Sequence, residues 1–437
     1  MLAAIGVDSI DDLFADVPEG VRLDRALDLP AGVSEQEVAE ELGALAARNR
    51  SCDDEVTFVG AGMYDHYVPA VVDAITQRSE FLTPYTPYQP EISQGGLQVM
   101  FEFQTAISEL TGLPVSNASL YEGPSSVPAA GYLARQESGR SRFVCSRGLH
   151  PHSRETLATY SAGFGSEVVE VPLTDEGATD VEALAGAVDD DTAAVFLQQP
   201  NFLGTVEDLG PLAEAAKSTG AVVVCAADPL TLGILRPPGE LGVDICLGEG
   251  QTLGGRLDYG GPSFGFFAAG ERYMRKMPGR IAGETSDVDG RRGFVLTLQT
   301  REQHIRREKA THNICTAQAL NALAGVVYLS WLGRRGIVEL GELMLRRTHY
   351  AREAAREAGA EPINPGPVVR EFALRVPDLD AVVARAREQG VNPGYRLGRD
   401  YPEYEDGLLV AITERRTRRD IDRLAAALAA AREEVPA

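Results

Sequence analysis

Short apolar runs alternate with helical patterns along the chain between residues 51 and 310. Because these runs are rich in β-branched residues and lack polar alternation, they predict strands of a sheet that is covered on both faces. Such a sheet is mostly parallel, with helical crossovers between its strands. The predicted strands are Val56–Val59, Arg142–Cys145, Glu167–Val171, Ala193–Leu197, Val222–Ala226, Val243–Leu247 and Phe264–Ala268.

The first fifty residues have a helical pattern that precedes this sheet. Ser34 and Glu37 have the spacing of a capping box, and Val38, Leu42 and Leu45 follow on one face of the predicted helix. We therefore expect a helical extension over residues 1–50, followed by a large α/β domain over residues 51–335.

The pattern changes again in the last third of the chain, where long helical stretches come first. Shorter elements follow, and the Pro/Gly-rich stretch Asn364–Val368 predicts a turn. These elements predict a small C-terminal α+β domain over residues 336–437. The predicted helices are Thr311–Leu332, Gly336–Ala358, Leu379–Gln389 and Arg418–Arg432, and the predicted strands are Glu371–Val376 and Leu408–Thr413.

The composition narrows the possible classes of function. The chain has 437 residues and a net charge of −23 at pH 7, which disfavours binding to nucleic acid and to anionic membranes. No apolar run approaches the roughly 18–20 residues that span a bilayer. The N-terminus turns acidic within ten residues, unlike a signal or transit peptide. These features predict a cytoplasmic protein.

Metal and disulfide chemistry are not indicated by the cysteines and histidines. His150 and His152 flank a proline, and His304 and His312 are not spaced with carboxylates as metal ligands would be. We therefore expect reduced thiols and no metal site. The five cysteines, which are scattered and form no CxxC pair, are Cys52, Cys145, Cys225, Cys246 and Cys315.

One predicted strand ends close to an acid. Val222–Ala226 leads into Asp228, and ligands of open α/β sheets bind beyond the carboxyl ends of the strands. A carboxylate at this place is suited to hold the protonated ring nitrogen of pyridoxal phosphate (PLP). Alternatively, Asp228 caps the turn that follows it, Pro229 to Thr231.

An enzyme that uses PLP also needs a positioned lysine, which in this architecture follows the next strand. The segment after Val243–Leu247 carries Glu249, Gln251 and Thr252 but no lysine. A PLP enzyme that is active by itself is therefore not expected. The three lysines of the chain are Lys217, Lys276 and Lys309.

A stiff, proline-rich loop and one arginine are further candidates for a site. Three prolines restrict the backbone of Phe81–Pro90, and Arg280 lies in a Gly/Pro-punctuated segment where its guanidinium suits an anion. Packing of the loop across the surface and a structural salt bridge of Arg280 are the alternatives. The candidate site-lining residues are Tyr85, Thr86, Tyr88, Gln89, Ser93 and Arg280.

Several long stretches of the chain resemble one protein family. They are FLTPYTPYQPEISQG, DPLTLGILRPPGELGVDICLGEGQ, GGPSFGFFA, KMPGRIAGET and GFVLTLQTREQHIRREKATHNICT. They resemble the P-proteins of the glycine cleavage system, in particular the α subunit of the form that consists of two different subunits. The resemblance covers nearly the whole chain. It implies the PLP-dependent transferase type I fold, with a large, mostly parallel α/β domain and a small C-terminal α+β domain.

The resemblance also implies a division of labour between two chains. In this family the β subunit carries the lysine and holds PLP, so no PLP is expected on this chain alone. Counted back from Gly260-Gly261-Pro262, the lysine position falls on Gln251. Asp228, Ser125 and Ser126 are then remnants of a cofactor pocket. The loop Tyr85 to Gln89 and Arg280 would line the mouth of the shared site.

The partners implied by the resemblance are the β subunit, in an α2β2 assembly, and lipoylated H-protein. The pair decarboxylates glycine and passes the aminomethyl group to the lipoyl arm of H-protein.

This sequence departs from the family pattern near the expected site. It has Glu122-Gly-Pro-Ser-Ser-Val-Pro128 in place of a run of small residues, and Pro151-His-Ser-Arg154 in place of Pro-Gln-Tyr-Arg. His312-Asn-Ile-Cys stands in place of Ser-Asn-Ile-Cys. Drift in a pocket that binds no cofactor explains these changes. The alternatives are a paralogous subunit that acts on another amino acid or carrier, and a non-catalytic scaffold.

Overall fold

A computed structural model describes residues 1–310, 314 and 317–429. By contacts the chain divides into Met1–Ser51 and Cys52–Ala437. The first unit contains the helices α1 (Leu2–Ile5) and α2 (Glu35–Ala46). The predicted capping box starts α2, since Ser34 N–H donates to Glu37 Oε2 at 2.8 Å and Glu37 N–H donates to Ser34 Oγ at 3.3 Å. Outside these helices the unit has 3₁₀ turns and irregular backbone, so the helical prediction holds only locally.

The second unit carries the remaining helices and all the described strands. The helices are α3 (Ala70–Thr76), α4 (Ser79–Leu82), α5 (Gln94–Thr111), α6 (Gly123–Ser138), α7 (Pro151–Phe164), α8 (Val181–Ala187), α9 (Leu209–Lys217), α10 (Gln303–Arg306), α11 (Ala319–Glu357), α12 (Leu379–Glu388) and α13 (Arg418–Ala429). The strands are β1 (Val56–Thr57), β2 (Val115–Ser116), β3 (Arg142–Ser146), β4 (Glu167–Val171), β5 (Thr192–Gln199), β6 (Val222–Ala227), β7 (Ile245–Glu249), β8 (Gly265–Ala269), β9 (Ile281–Ser286), β10 (Arg292–Thr297), β11 (Glu361–Pro362), β12 (Glu371–Arg375), β13 (Val391–Asn392), β14 (Tyr395–Arg396) and β15 (Gly407–Ala411).

A seven-stranded sheet in the order β2-β8-β7-β6-β5-β3-β4 forms the centre of the second unit. Strands β3 to β7 run parallel, which confirms the prediction of a mostly parallel sheet. Strand β8 is antiparallel to β7, and residues 250–264 between them hold none of the α-helices that usually connect parallel neighbours. The predicted strand Val56–Val59 is not part of this sheet, since β1 pairs with β13 instead.

Both faces of the central sheet are buried. Along β6, Val223 and Cys225 pack into one apolar cluster, whereas Val222 and Val224 pack into another on the opposite face. Because successive side chains of a strand point to opposite faces, an uninterrupted apolar run is what a doubly covered strand requires. This packing explains why the sequence pattern identified the sheet.

The C-terminal part contains a four-stranded antiparallel sheet in the order β11-β12-β15-β14. The two helices predicted around residue 335 form one element, α11, which is interrupted by the non-helical conformation of Gly333 (φ 62°). The predicted division between a large and a small domain at 335/336 therefore lies within α11, and it stays a prediction. Within the described residues, no helix has both the length and the apolar character needed to cross a bilayer.

Some predictions fall on residues outside the described ranges. The first residues of the predicted helix Thr311–Leu332 belong to this group, as do His312 and Cys315. The end of the predicted helix Arg418–Arg432 lies beyond the last described residue of α13, Ala429.

Candidate functional site

A cavity of about 650 Å³ lies at the carboxyl ends of the parallel strands. It is lined from β5 by Gln198, from the end of β6 by Asp228 and from β7 by Glu249. His150, which precedes α7, and Arg370, which precedes β12, also line it. The cavity therefore lies where open α/β sheets bind their ligands.

A chain of charged and polar side chains connects the cavity wall to the C-terminal sheet. Arg370 Nη2 lies 2.6 Å from Asp228 Oδ2, and Arg370 Nη1 donates to His66 Nε2. Because a guanidinium can only donate, the proton of His66 lies on Nδ1, which donates to Glu414 Oε2 at 2.6 Å. Arg370 is thus bound between two acceptors, and it neutralises the carboxylate at the end of β6.

Tyr64 packs against the same arginine and bonds to the neighbouring residue Glu371. The guanidinium carbon of Arg370 lies 3.5 Å from the centroid of the Tyr64 ring. The Tyr64 hydroxyl donates to Glu371 Oε2 at 2.6 Å, and the N–H of Ala61 donates to Glu371 Oε1 at 2.8 Å. Burial raises the pKa of Glu371 to about 7 and that of Tyr64 well above its ordinary value. Glu371 is therefore a buried group that titrates close to neutral pH.

The N-terminus of α6 faces the cavity with two carboxylates bound to it. Glu122 accepts from the N–H of Ser125 at 3.0 Å, and Glu249 Oε2 accepts from the N–H of Gly123 at 3.0 Å. Ser126 Oγ donates to the Glu122 carbonyl oxygen at 2.8 Å. A helix N-terminus attracts anions through its free N–H groups and its dipole. Here the protein's own side chains provide the anions.

Gln251 lies behind the cavity wall and does not line the cavity itself. Its Oε1 accepts from the N–H of Tyr64 at 2.9 Å, and its Nε2 donates to the carbonyl oxygens of Tyr64 at 3.0 Å and Gly255 at 2.9 Å. The side chain is buried and its polar atoms are bonded to backbone. Gln251 thus holds the segment that carries Tyr64 against the turn after β7.

Replacing Gln251 by alanine is expected to destabilise the protein by about 2 kcal/mol, because it leaves the N–H of Tyr64 without its acceptor and removes the donor to the carbonyl oxygens of Tyr64 and Gly255. Urea unfolding, followed by circular dichroism, measures the change. Gln98→Ala is the control, since the exposed Gln98 bonds to Glu102 on the surface of α5. Equal stability of the two variants would contradict the structural role of Gln251.

None of the three lysines lines the cavity. Lys217 Nζ lies 3.5 Å from Asp244 Oδ1, and Lys276 Nζ lies 2.6 Å from Glu137 Oε2. Lys309 ends an exposed 3₁₀ turn. The cavity therefore has no amine that could form an imine.

These contacts do not fit PLP. A phosphate placed at the N-terminus of α6 would meet the carboxylates of Glu122 and Glu249. The acid that would hold the ring nitrogen, Asp228, is already paired with Arg370. The position after β7 carries Gln251, whose amide is bonded to backbone.

His150 closes one side of the cavity as a neutral ring. Burial lowers its pKa to about 4. Its Nε2 lies 2.8 Å from the carbonyl oxygen of Ala61, and its Nδ1 accepts from the N–H of His152 at 3.1 Å. Since Nδ1 accepts, the ring proton lies on Nε2 and is donated to Ala61. His150 therefore positions the cavity wall as a neutral ring near pH 7.

The proline-rich loop lies at a second cavity, of about 500 Å³. Tyr88 and Arg280 both line it, with Tyr88 Oη 3.5 Å from Arg280 Nη2 and the guanidinium carbon 5.7 Å from the ring centroid. Tyr85 is 72% exposed. Thr86, Gln89 and Ser93 lie outside the residues that line either of these two cavities.

The sequence did not indicate the residues that surround Asp228 at the wall of the first cavity. Tyr64, His66, Arg370 and Glu371 form the network around Asp228. The available signal was weak: Arg370 and Glu371 are adjacent, oppositely charged residues directly before the apolar run Phe372–Leu374. Whether two such charges are buried depends on the elements that pack against them, and the sequence does not show which elements these are. Within the described residues, no group of three or more His, Cys, Asp or Glu side chains is arranged to hold a metal ion.

Sequence comparisons relate the chain to one family. The family model for the glycine cleavage system P-protein matches residues 1–428. A probable glycine dehydrogenase (decarboxylating) subunit 1 of Carboxydothermus hydrogenoformans is 48% identical over 424 residues, which is 97% of this chain and 95% of the relative. The protein with the same description from Bacillus subtilis is 48% identical over 428 residues, again 97% of this chain and 95% of the relative.

Structural comparisons agree with the sequence comparisons. A crystal structure of glycine decarboxylase (P-protein) of the glycine cleavage system, in inhibitor-bound form, superposes with a TM-score of 0.90. It is 43% identical and covers 98% of this chain and 97% of that chain. A glutamate decarboxylase from Lactobacillus brevis is 15% identical with a TM-score of 0.69, covering 95% and 97% of the two chains, and shares the fold. The type I fold of PLP-dependent enzymes, predicted from the sequence, is thereby confirmed.

Proposed function

Since the chain belongs to the glycine cleavage system P-protein family, we propose that it is the α subunit of a glycine decarboxylase made of two different chains. The partner β subunit supplies the reactive lysine and holds PLP, and the two form an α2β2 assembly in the cytoplasm. The pair decarboxylates glycine and transfers the aminomethyl group to the lipoyl arm of H-protein.

The observation that supports this proposal is the set of residues at the cavity at the carboxyl end of the sheet. No lysine lines it, Gln251 is bonded to the backbone of Tyr64, and Asp228 is paired with Arg370. The relatives are described as subunit 1, which implies a second subunit. A chain with this fold and without the reactive amine is expected to act through a partner that has one.

The loop that carries Tyr88, together with Arg280, is our proposal for the part of this chain that lines the mouth of the shared site. The buried guanidinium of Arg280 lies against the Tyr88 ring beside a cavity that also contains His304 and Arg307. Glu302 and Glu308 line the same cavity, so we assign the binding and orientation of an anionic group to the Arg280 guanidinium, whose planar fork matches a carboxylate. We propose that four residues stabilise the structure around the first cavity and do not contact the substrate in the shared site. They are Asp228, Gln251, Ser125 and Ser126.

The proposal is tested by purifying the chain alone and together with a lysine-bearing β subunit. Alone, the chain is expected to show no PLP absorbance and no exchange of bicarbonate with the carboxyl group of glycine. With its partner, both are expected. Reduction with borohydride should attach the cofactor to the partner. Cofactor trapped on Lys276 or Lys309 of this chain would overturn the proposal, and exchange with another amino acid but not with glycine would favour a paralogous subunit.

Replacing Tyr88 by leucine is expected to lower the turnover of the assembled complex by about tenfold, because small misplacements of a positioning group reduce rates strongly. Steady-state glycine exchange measures the effect. Tyr350→Leu is the matched control, since Tyr350 also lies beside an arginine, with Arg418 5.0 Å from its ring centroid, but lines neither cavity. Unchanged turnover of Tyr88→Leu would favour a non-catalytic scaffold.

A further inference from the structure

We propose that the cavity at the carboxyl end of the central sheet binds an α-amino acid as its zwitterion. Two kinds of groups line this cavity. Carboxylates on one side attract an ammonium group, and buried donors without a partner attract a carboxylate. The inference does not rest on the proposed catalytic partnership, because every group involved belongs to this chain.

Two buried polar side chains lack a complete set of partners. Thr252 lines the cavity, is 2% exposed, and its Oγ1 has no hydrogen-bond partner among the described residues. Arg370 also lines the cavity and is 3% exposed. Its Nε has no partner within the described ranges, although its other two nitrogens contact Asp228 and His66. Buried polar groups are normally hydrogen-bonded, so a ligand with acceptor oxygens would complete both side chains.

The charge of the lining favours a cationic group on the same ligand. Glu122, Asp228 and Glu249 line the cavity together with a single arginine, Arg370. Glu249 accepts from the N–H groups of Gly123 and Gln251 and from the Ser263 hydroxyl. An ionised carboxylate has about four lone-pair sites, so Glu249 can accept one more donor. Burial raises the pKa of Glu249, and a neighbouring ammonium group would relieve that cost.

The two kinds of groups are close enough for one small molecule. Ala226 of β6 pairs with Leu247 of β7, so Asp228 and Glu249 follow at the same edge of neighbouring strands, which lie about 4.8 Å apart. Arg370 is bonded to Asp228 at 2.6 Å. A molecule whose ammonium and carboxylate groups share one carbon can reach both, and the volume of about 650 Å³ leaves room for its side chain.

Molecules with only one of the two charges fit less well. A simple amine would leave Thr252 Oγ1 and Arg370 Nε without an acceptor. A simple carboxylate, and still more a phosphate, would meet the excess of carboxylates in the lining. The combination of groups therefore selects an α-amino acid.

Isothermal titration calorimetry of the purified full-length chain tests the inference. The probes are glycine, L-alanine and L-serine, with L-alaninamide and propionate each lacking one charge, and PLP as the cofactor probe. At least one of the amino acids is expected to bind, and both single-charge probes are expected to bind at least about tenfold more weakly, since a hydrogen bond to a charged group is worth that factor.

The substitution Thr252→Val should weaken amino-acid binding by about tenfold, while Thr252→Ser retains the hydroxyl and the affinity. Thr348→Val is the matched control, because Thr348 in α11 also has a buried Oγ1 without a partner among the described residues but does not line the cavity. The inference is overturned if no amino acid binds, if propionate or alaninamide binds as tightly, if PLP binds instead, or if the two valine variants behave alike.

Discussion

Replacing Arg370 by methionine is expected to destabilise the protein by about 2–3 kcal/mol, because it leaves the carboxylate of Asp228, whose side chain is 15% exposed, without its ion-pair partner. The substitution also removes the donor to His66 and the group that lies over the Tyr64 ring. Urea unfolding at pH 7 measures the change. Arg335→Met is the control, since Arg335 is exposed and pairs with Glu339 on the surface of α11, and little change is expected there.

The double variant Arg370→Met with Asp228→Asn separates the contribution of the ion pair to stability from the contribution of packing around Arg370. Breaking a buried ion pair by removing one partner costs more than removing both charges. The double variant is therefore expected to regain part of the stability that Arg370→Met loses. If it is no more stable than Arg370→Met, the loss comes from packing against Tyr64 and not from the unpaired charge of Asp228.

Replacing Glu371 by glutamine is expected to change how stability depends on pH, with a relative effect of about 3 kcal/mol between pH 4.5 and pH 7. Burial raises the pKa of Glu371 from 4.5 to about 7 in the folded protein. The folded state therefore binds this proton more tightly than the unfolded state does. The stabilisation is complete below pH 4.5 and is lost as the pH rises through 7.

Glutamine has no proton to lose in this range, and it can still accept from Ala61 and bond to the Tyr64 hydroxyl. The stability of the unsubstituted protein should therefore fall relative to that of Glu371→Gln between pH 4.5 and pH 7. Chemical unfolding at several pH values measures the difference. The lowered pKa of His150 acts in the opposite direction, but it is present in both proteins and cancels. Glu357→Gln, on the exposed part of α11, is the control and should follow the unsubstituted protein. A constant difference between Glu371→Gln and the unsubstituted protein would contradict the raised pKa.

The hydrophobic pattern was sufficient for the sheet because its strands are buried on both faces. Runs such as Val222–Ala226 have no polar alternation, and the observed β6 spans Val222–Ala227. The pattern could not give the direction of β8 or the place of β1, since both depend on which strand lies next to them. The pattern also predicted two helices with a boundary at residue 335, because the glycines Gly333 and Gly336 are typical of a helix end. The observed helix α11 continues after a local break at Gly333.

The site was only partly visible in the sequence. Asp228 and the segment with Gln251 were predicted at the correct edge of the sheet, because strand ends can be located from apolar runs. The residue types after β7 were enough to exclude an imine there, since none of them is a lysine. The role of Gln251 as a clamp on Tyr64 was not visible, since it depends on a segment that is 187 positions away.

The sequence by itself determined the family, the type of fold and the lack of a lysine after β7, because each is carried by local patterns and residue identities. The tertiary structure alone decided what fills the place of a cofactor. Arg370 reaches Asp228, Glu249 reaches the N-terminus of α6, and these contacts join residues far apart in the chain. Buried charges are tolerated only when they are paired. Their partners are set by packing between elements, which no local pattern of residues records.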